Sequence, residues 1–101
     1  MTQNRLDHDQ LHQALAALPG WQLLPDGRLQ RQLRFPDFAG AFTFATAVAL
    51  HAEHAQHHPE LTIAWGRVVV STTTHDAGGI TAKDLALARS VDGLYTAPAG
   101  P

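Results

Sequence analysis

Proline and glycine signals cut this chain into short segments, and no other feature restricts its fold as strongly. The breaks are Pro19-Gly20, Pro25-Asp26-Gly27, Pro36-Asp37, Pro59, Gly66 and Gly78-Gly79. Proline fixes φ and removes a backbone donor, whereas glycine admits turn conformations that other residues avoid. We therefore expect the chain to fold as several helices and strands that are joined by tight turns.

Three of the segments have helical spacing and a recognisable start. Asp7–Gln10 and Thr81–Asp84 have the pattern of a capping box, and Pro36-Asp37 opens a longer helix that we expect to run to Pro59. Apolar residues recur at helical intervals after each start. They are Leu11, Leu15 and Leu18 in the first helix, Phe38, Ala41, Ala45, Val48, Ala52 and Ala55 in the second, and Leu85, Ala88 and Val91 in the third.

The remaining segments are typical of two β-hairpins. Trp21–Leu24 and Leu29–Phe35 flank the first turn signal, and Leu61–Trp65 and the β-branched stretch Val68–Thr74 flank the second. Polar and apolar residues alternate in the second arm, with Arg31 as the exception. The predicted order is αββαββα, an α+β fold in which three helices cover one face of a four-stranded antiparallel sheet. We expect one domain over residues 1–101, with 96–101 as a flexible tail.

Composition narrows the functional classes. Lys and Arg total 7 against 9 Asp and Glu, so the chain has no basic footprint for nucleic acid. The absence of cysteine excludes disulfides and thiolate chemistry. Met1–Gln13 does not resemble a signal peptide, and Phe38–Leu50 is too short and mixed to span a bilayer. We therefore expect a cytoplasmic protein without a membrane or nucleic-acid partner.

A run of histidines at the end of the second predicted helix is the main chemical signal. On a helix, Glu53 and His57 form an i, i+4 pair, so the carboxylate can fix the tautomer of the ring. His51 and His54 are interpreted as a solvated helix face. The pair His57-His58 is also compatible with a polar helix terminus, and His51, His54 and His58 together are compatible with a metal site.

Two further residues, His75 and Asp84, could take part in catalysis, but each also has a purely structural explanation. His75 ends the last predicted strand, where it could be only a polar residue at a turn. Asp84 lies at the third position of the last helix and is expected first of all to cap it.

The joint spacing of these residues is more specific than any one of them. Glu53, His57-His58-Pro59, Trp65, His75 and Asp84 follow one another at intervals that resemble the signature of the pterin-4a-carbinolamine dehydratase family. The resemblance covers nearly the whole chain, from Gly20-Trp21 to the last helix. It implies a metal-free and cofactor-free dehydration of 4a-hydroxytetrahydropterin to quinonoid dihydropterin.

The resemblance also implies roles for individual residues. His57 and His75 would be the proton-transfer pair, His58 would hold the substrate, and Glu53 would orient His57. The pterin pocket would further involve Pro59, Thr74, Asp76, Ala77 and Asp84. Members of the family are usually homodimers or homotetramers. A non-catalytic binding module with the same fold, acting through a protein partner, is the alternative function.

Overall fold

Two hairpins supply the strands, and each hairpin is followed by a helix. The computed structural model describes residues 4–96. Its elements are α1 (His8–Ala16), β1 (Gln22–Leu23), β2 (Leu29–Arg34), α2 (Phe38–Ala55), β3 (Glu60–Ala64), β4 (Arg67–Thr72), a 3-10 turn (His75–Ala77) and α3 (Ala82–Leu94). This order confirms the predicted αββαββα arrangement. Of the predicted tail, only Thr96 is among the described residues, and 97–101 lie outside them.

The strands form one antiparallel sheet in the order β1-β2-β4-β3. The two-residue loop Trp65-Gly66 joins β3 to β4, and Gly66 has φ +70°, which favours glycine. In the first hairpin the Asp26 carboxylate accepts the Arg28 backbone N–H. That bond, with the Arg28 guanidinium, holds the pKa of the exposed Asp26 below its usual value. The turn signals read from the sequence therefore close both hairpins.

The helices bury one face of the sheet around a single apolar core. Its members come from β2, β4, α2, α3 and the segments beside them, and are Leu18, Trp21, Leu29, Leu33, Ala41, Phe44, Ala45, Val48, Val68, Val70, Ile80, Leu87, Ala88 and Val91. Burial of such side chains is the main favourable term in folding. It fixes α2 and α3 side by side, so that the end of α2 and the start of α3 frame the far end of β4.

Helix α2 ends earlier than the sequence predicts. It stops at Ala55, because Gln56 adopts a left-handed conformation (φ 56°, ψ 38°) and the His57 N–H donates back to the Ala52 carbonyl at 3.1 Å. Pro59 follows only after this turn, so it is not the residue that stops the helix. The prediction that His57 lies on the helix was therefore wrong.

The buried stripe of α2 also differs from the predicted one. Phe38 is 48% exposed and Ala55 is exposed, whereas Phe44, which the pattern omitted, is buried against Phe35. The helix is apolar on more than one side, so hydropathy alone does not identify the face that packs. Among residues 4–96, no helix is long and apolar enough to cross a membrane.

Arg31 breaks the alternation of β2 because it has a partner on the helical layer. Its guanidinium forms an ion pair with Asp92 of α3 and lies 5.1 Å from the ring centroid of Tyr95. The Trp21 indole N–H donates to the same Asp92 carboxylate at 2.9 Å. Asp92 therefore satisfies two donors at the boundary between the sheet and α3.

We expect Asp92→Ala to lower the free energy of unfolding by about 2 kcal/mol, because it leaves two partly buried donors without an acceptor. Urea unfolding followed by tryptophan fluorescence measures the loss. Asp92→Asn keeps an acceptor for Trp21 and should cost clearly less. Equal midpoints for wild type and Asp92→Ala would contradict this account.

Candidate active site

A completely buried carboxylate occupies the junction of β4, α2 and α3. Asp84 lies in the first turn of α3 and is 0% exposed. It closes the predicted capping box, because its Oδ2 accepts the Thr81 backbone N–H at 2.9 Å while the Thr81 side chain caps the helix in return. The expected capping role of Asp84 is confirmed, but capping uses only one oxygen of the carboxylate.

Threonine hydroxyls at the end of β4 and just after it fill further acceptor positions of Asp84. Thr72 donates to Oδ1 at 2.6 Å and Thr74 donates to Oδ2 at 2.7 Å. Because the Thr74 hydroxyl donates its proton to Asp84, the Thr81 hydroxyl is the donor in the 2.7 Å contact between the two threonines. A buried charge is tolerated only when its hydrogen bonds are satisfied, and this carboxylate is surrounded by donors.

His57 is the remaining partner of the buried carboxylate. Its Nε2 lies 2.6 Å from Asp84 Oδ1 and 3.3 Å from the Thr72 hydroxyl, and the imidazole is 12% exposed. Because the carboxylate already accepts from every other neighbour, we assign the proton of this bond to the ring nitrogen. His57 is then held as the Nε2–H tautomer, and its Nδ1, which has no hydrogen-bond partner within residues 4–96, can exchange a proton with a ligand.

Glu53 does not contact His57, contrary to the sequence prediction. Its Oε1 lies 2.7 Å from Nε2 of His58, and both side chains are largely exposed, at 72% and 55%. The left-handed Gln56 turns the chain after α2, which removes His57 from the helical i, i+4 position and brings His58 to Glu53. Glu53 therefore orients the second histidine of the pair, and Asp84 orients the first.

His75 lies on the other segment that reaches the buried carboxylate. It begins the 3-10 turn directly after Thr74, and its side chain is exposed, as is that of Asp76. The strand prediction placed His75 at the end of β4, but β4 ends at Thr72. Since Thr74 is hydrogen-bonded to Asp84, the segments carrying His57 and His75 are tied to one common group.

The other residues predicted to line the pocket lie beside these two segments. Pro59 is half-buried just before β3, and Ala77 is half-buried at the end of the 3-10 turn. Backbone groups of Thr74 are already paired, because its N–H donates to Gly79 and its carbonyl accepts from Ala77. Within the described structure, the N–H, the carbonyl and the hydroxyl of Thr74 all have protein partners, so Thr74 links the 3-10 turn to Asp84.

A small cavity borders His57 between the end of α2 and the start of α3. Its volume is about 130 Å³, and its lining comprises His51, Ala55, His57, Lys83, Ala86 and Leu87. A larger depression of about 610 Å³ lies along the first half of α2, beside Phe44 and Leu94. No imidazole lines that larger depression, whereas His51 and His57 line the smaller cavity and His58, His75 and Asp76 do not.

Sequence reasoning missed Thr72, Thr81 and Lys83 as neighbours of the site. The threonine-rich end of β4 and the capping box before α3 were visible signals, but their convergence depends on how the two elements pack. The alternative metal site on His51, His54 and His58 finds no geometric support. Within residues 4–96, no three His, Asp or Glu side chains are grouped as metal ligands.

The fold and the site define a small α+β protein with an imidazole–carboxylate centre. A model of the family described as pterin 4 alpha carbinolamine dehydratase matches residues 4–94. The chain belongs to the pterin-4a-carbinolamine dehydratase family.

Relatives and a solved structure agree with this membership. A protein of Rhizorhabdus wittichii is 49% identical over 83 residues, which cover 80% of this chain and 84% of that protein. A protein of Thermosynechococcus vestitus is 46% identical over 90 residues, covering 89% and 94%. Both carry a provisional pterin-4-alpha-carbinolamine dehydratase name. The crystal structure of a transcriptional coactivator/pterin dehydratase from Brucella melitensis superimposes with a TM-score of 0.86 and 39% identity, covering 90% of this chain and 98% of that chain.

The Asp84–His57 bond predicts a single imidazole tautomer. In long-range ¹H–¹⁵N spectra of the neutral ring, His57 should have its proton on Nε2, and Glu53→Gln should leave that pattern unchanged. Asp84→Asn should release it into a mixture of tautomers, because an amide can either accept from the ring or donate to it. A tautomer change in Glu53→Gln, or none in Asp84→Asn, would show that the orienting residue is assigned wrongly.

Proposed function

We propose that this protein removes water from 4a-hydroxytetrahydropterin and releases quinonoid dihydropterin. Membership of the dehydratase family supports the reaction class, and the observation that carries the proposal is the His57–Asp84 pair beside a small cavity. A tautomerically fixed imidazole with one free nitrogen is suited to proton transfer near neutral pH.

The reaction needs two proton transfers and no electron acceptor. Loss of the N5 proton lets the nitrogen lone pair form the N5=C4a double bond. The C4a–O bond breaks at the same carbon, and the hydroxyl leaves as water after it receives a proton. A neutral imidazole can serve as the base and an imidazolium as the acid.

We assign the two transfers to His57 and His75. Their chain segments converge on Asp84, which supports placing both at one substrate. His58 holds the pterin and its hydroxyl, and Glu53 orients His58 through the 2.7 Å contact. Asp84 is a positioning residue that acts through His57.

The surroundings of these histidines form the substrate pocket in this proposal. Pro59, Asp76 and Ala77 lie beside the proposed proton-transfer residues and line the pocket that binds the pterin. Thr74 supports the pocket wall, since its side chain and backbone already have partners. The tetrahydrobiopterin form of the substrate is the specific member of the class that we propose.

Substitution of either proton-transfer residue tests the proposal directly. We expect His57→Ala and His75→Ala to lower kcat by roughly 10²- to 10⁴-fold, the usual contribution of general acid–base catalysis. The assay follows quinonoid dihydropterin formed from freshly generated 4a-hydroxytetrahydropterin. Addition of a chelator should not change the rate.

His54→Ala is the matched control, because His54 is exposed at the end of α2 and makes no side-chain hydrogen bond within residues 4–96. It should retain the wild-type rate. Wild-type-like rates in both His57→Ala and His75→Ala would refute the assigned roles. A wild-type protein no faster than buffer would instead favour the non-catalytic binding module, a function suggested by the coactivator name of the Brucella protein.

We also infer that copies of this chain associate through the outer face of α2. Residues 38–52 contain no Asp, Glu, Lys or Arg, and Phe42 and Leu50 are 53% and 67% exposed. An uncharged apolar face of this kind is complementary to its own copy, since no like charges meet across a two-fold axis.

The cytoplasmic location expected from the sequence stays a prediction.

Introducing a charge on this face should dissociate the oligomer. We expect Phe42→Glu and Leu50→Glu to sediment as monomers while the wild type sediments as a dimer or tetramer, because each carboxylate would be desolvated in the interface. Gln32→Glu, on the uncovered face of the sheet, is the control and should keep the wild-type mass. A monomeric wild type at micromolar concentration would refute the inferred interface.

A further inference from the structure

We propose that Arg5 is a positioning residue that clamps the loop carrying His75, here called the His75 loop (residues 74–79). This inference rests on the proposed function, in which His75 transfers a proton. The side chain of His75 is exposed and makes no hydrogen bond within residues 4–96. The position of its imidazole therefore depends on how firmly the loop backbone is held.

The inner end of the His75 loop is anchored to the buried site. Thr74 and Gly79 form an antiparallel bridge, with the Thr74 N–H donating to the Gly79 carbonyl at 3.0 Å. The Thr74 hydroxyl is bonded to Asp84. These contacts hold the two ends of the loop, at Thr74 and Gly79, but they do not cover the side of the loop that faces outward.

The segment before α1 covers that outer surface. The Leu6 N–H donates to the Ile80 carbonyl at 2.8 Å, which lays the chain beside the end of the loop. The Arg5 side chain then crosses Gly79, and a Cβ atom added at Gly79 would lie 2.5 Å from Arg5 Cδ and 3.0 Å from Cγ. Arg5 Nη1 also reaches the Gly78 carbonyl at 3.4 Å.

Packing of the aliphatic stem, rather than the hydrogen bond, carries most of this clamp. A 3.4 Å separation is long for an N–H···O bond and the pair is exposed, so it contributes little. The methylene groups instead lie against a glycine that has no side chain to keep them away. The contact therefore requires both the Arg5 stem and a residue without a side chain at position 79.

Two substitutions of Arg5 separate the contribution of its aliphatic stem from that of its charge. Arg5→Ala removes both, whereas Arg5→Met retains an unbranched apolar stem without the guanidinium. Gly79→Ala expels the stem from the other side, and its backbone is not in the left-handed region that favours glycine. Arg89→Ala is the matched control, because Arg89 is exposed on α3 and makes no side-chain hydrogen bond or ion pair within the described residues.

We expect Arg5→Ala to lower kcat about tenfold with a smaller change in KM, since small displacements of a catalytic group are costly. Arg5→Met and Arg89→Ala should stay within about twofold of wild type. Gly79→Ala should match Arg5→Ala, and the double variant should be no slower than either single variant. Multiplicative losses in the double variant would show that the two residues do not act through one contact.

Amide hydrogen exchange provides a readout that does not depend on activity. The Ala77 and Gly78 N–H groups close the 3-10 turn, and their exchange should accelerate in Arg5→Ala while α3 keeps its protection. Unchanged exchange and unchanged kcat would overturn the clamp, and faster exchange with unchanged kcat would overturn its role in positioning His75. If the wild type lacks dehydratase activity, the proposed function fails, and the exchange experiment still decides whether Arg5 holds the loop.

Discussion

The hydrogen-bonded carboxylate of Asp84 is the interaction on which the candidate site depends. Moving a carboxylate into a protein interior costs several kcal/mol unless donors replace the lost water. Here the donors come from the end of β4, from the cap of α3 and from the imidazole of His57. One buried group thereby joins three parts of the chain at a single point.

This arrangement explains how a small domain holds the imidazole of His57 in one orientation. The apolar core fixes the sheet against α2 and α3, and the site lies at the edge of that core, where polar side chains can still be satisfied internally. His57 is anchored on one side by Asp84 and borders a cavity on the other. His58 and His75 lie closer to solvent: His58 pairs with the exposed Glu53, and the His75 side chain makes no hydrogen bond within residues 4–96.

Much of the fold was predictable from local signals. The capping boxes at Asp7 and Thr81, the turn at Gly66 and the alternation in β2 each express a short-range preference, and all appear in the structure. The bounds of α2 were less predictable. Gln56 has no strong preference for the left-handed conformation that ends the helix. The sequence therefore pointed to Pro59, further along the chain, as the residue that ends it.

Sequence spacing by itself determined the family resemblance, the order of elements and most of the candidate site residues. The tertiary structure decided which of them touch. Glu53 pairs with His58 and Asp84 with His57, because a single left-handed residue after α2 turns the chain and the packing of α3 brings its first turn beneath β4. Contacts between residues 27 positions apart depend on how helices pack on the sheet, and no local pattern encodes that distance.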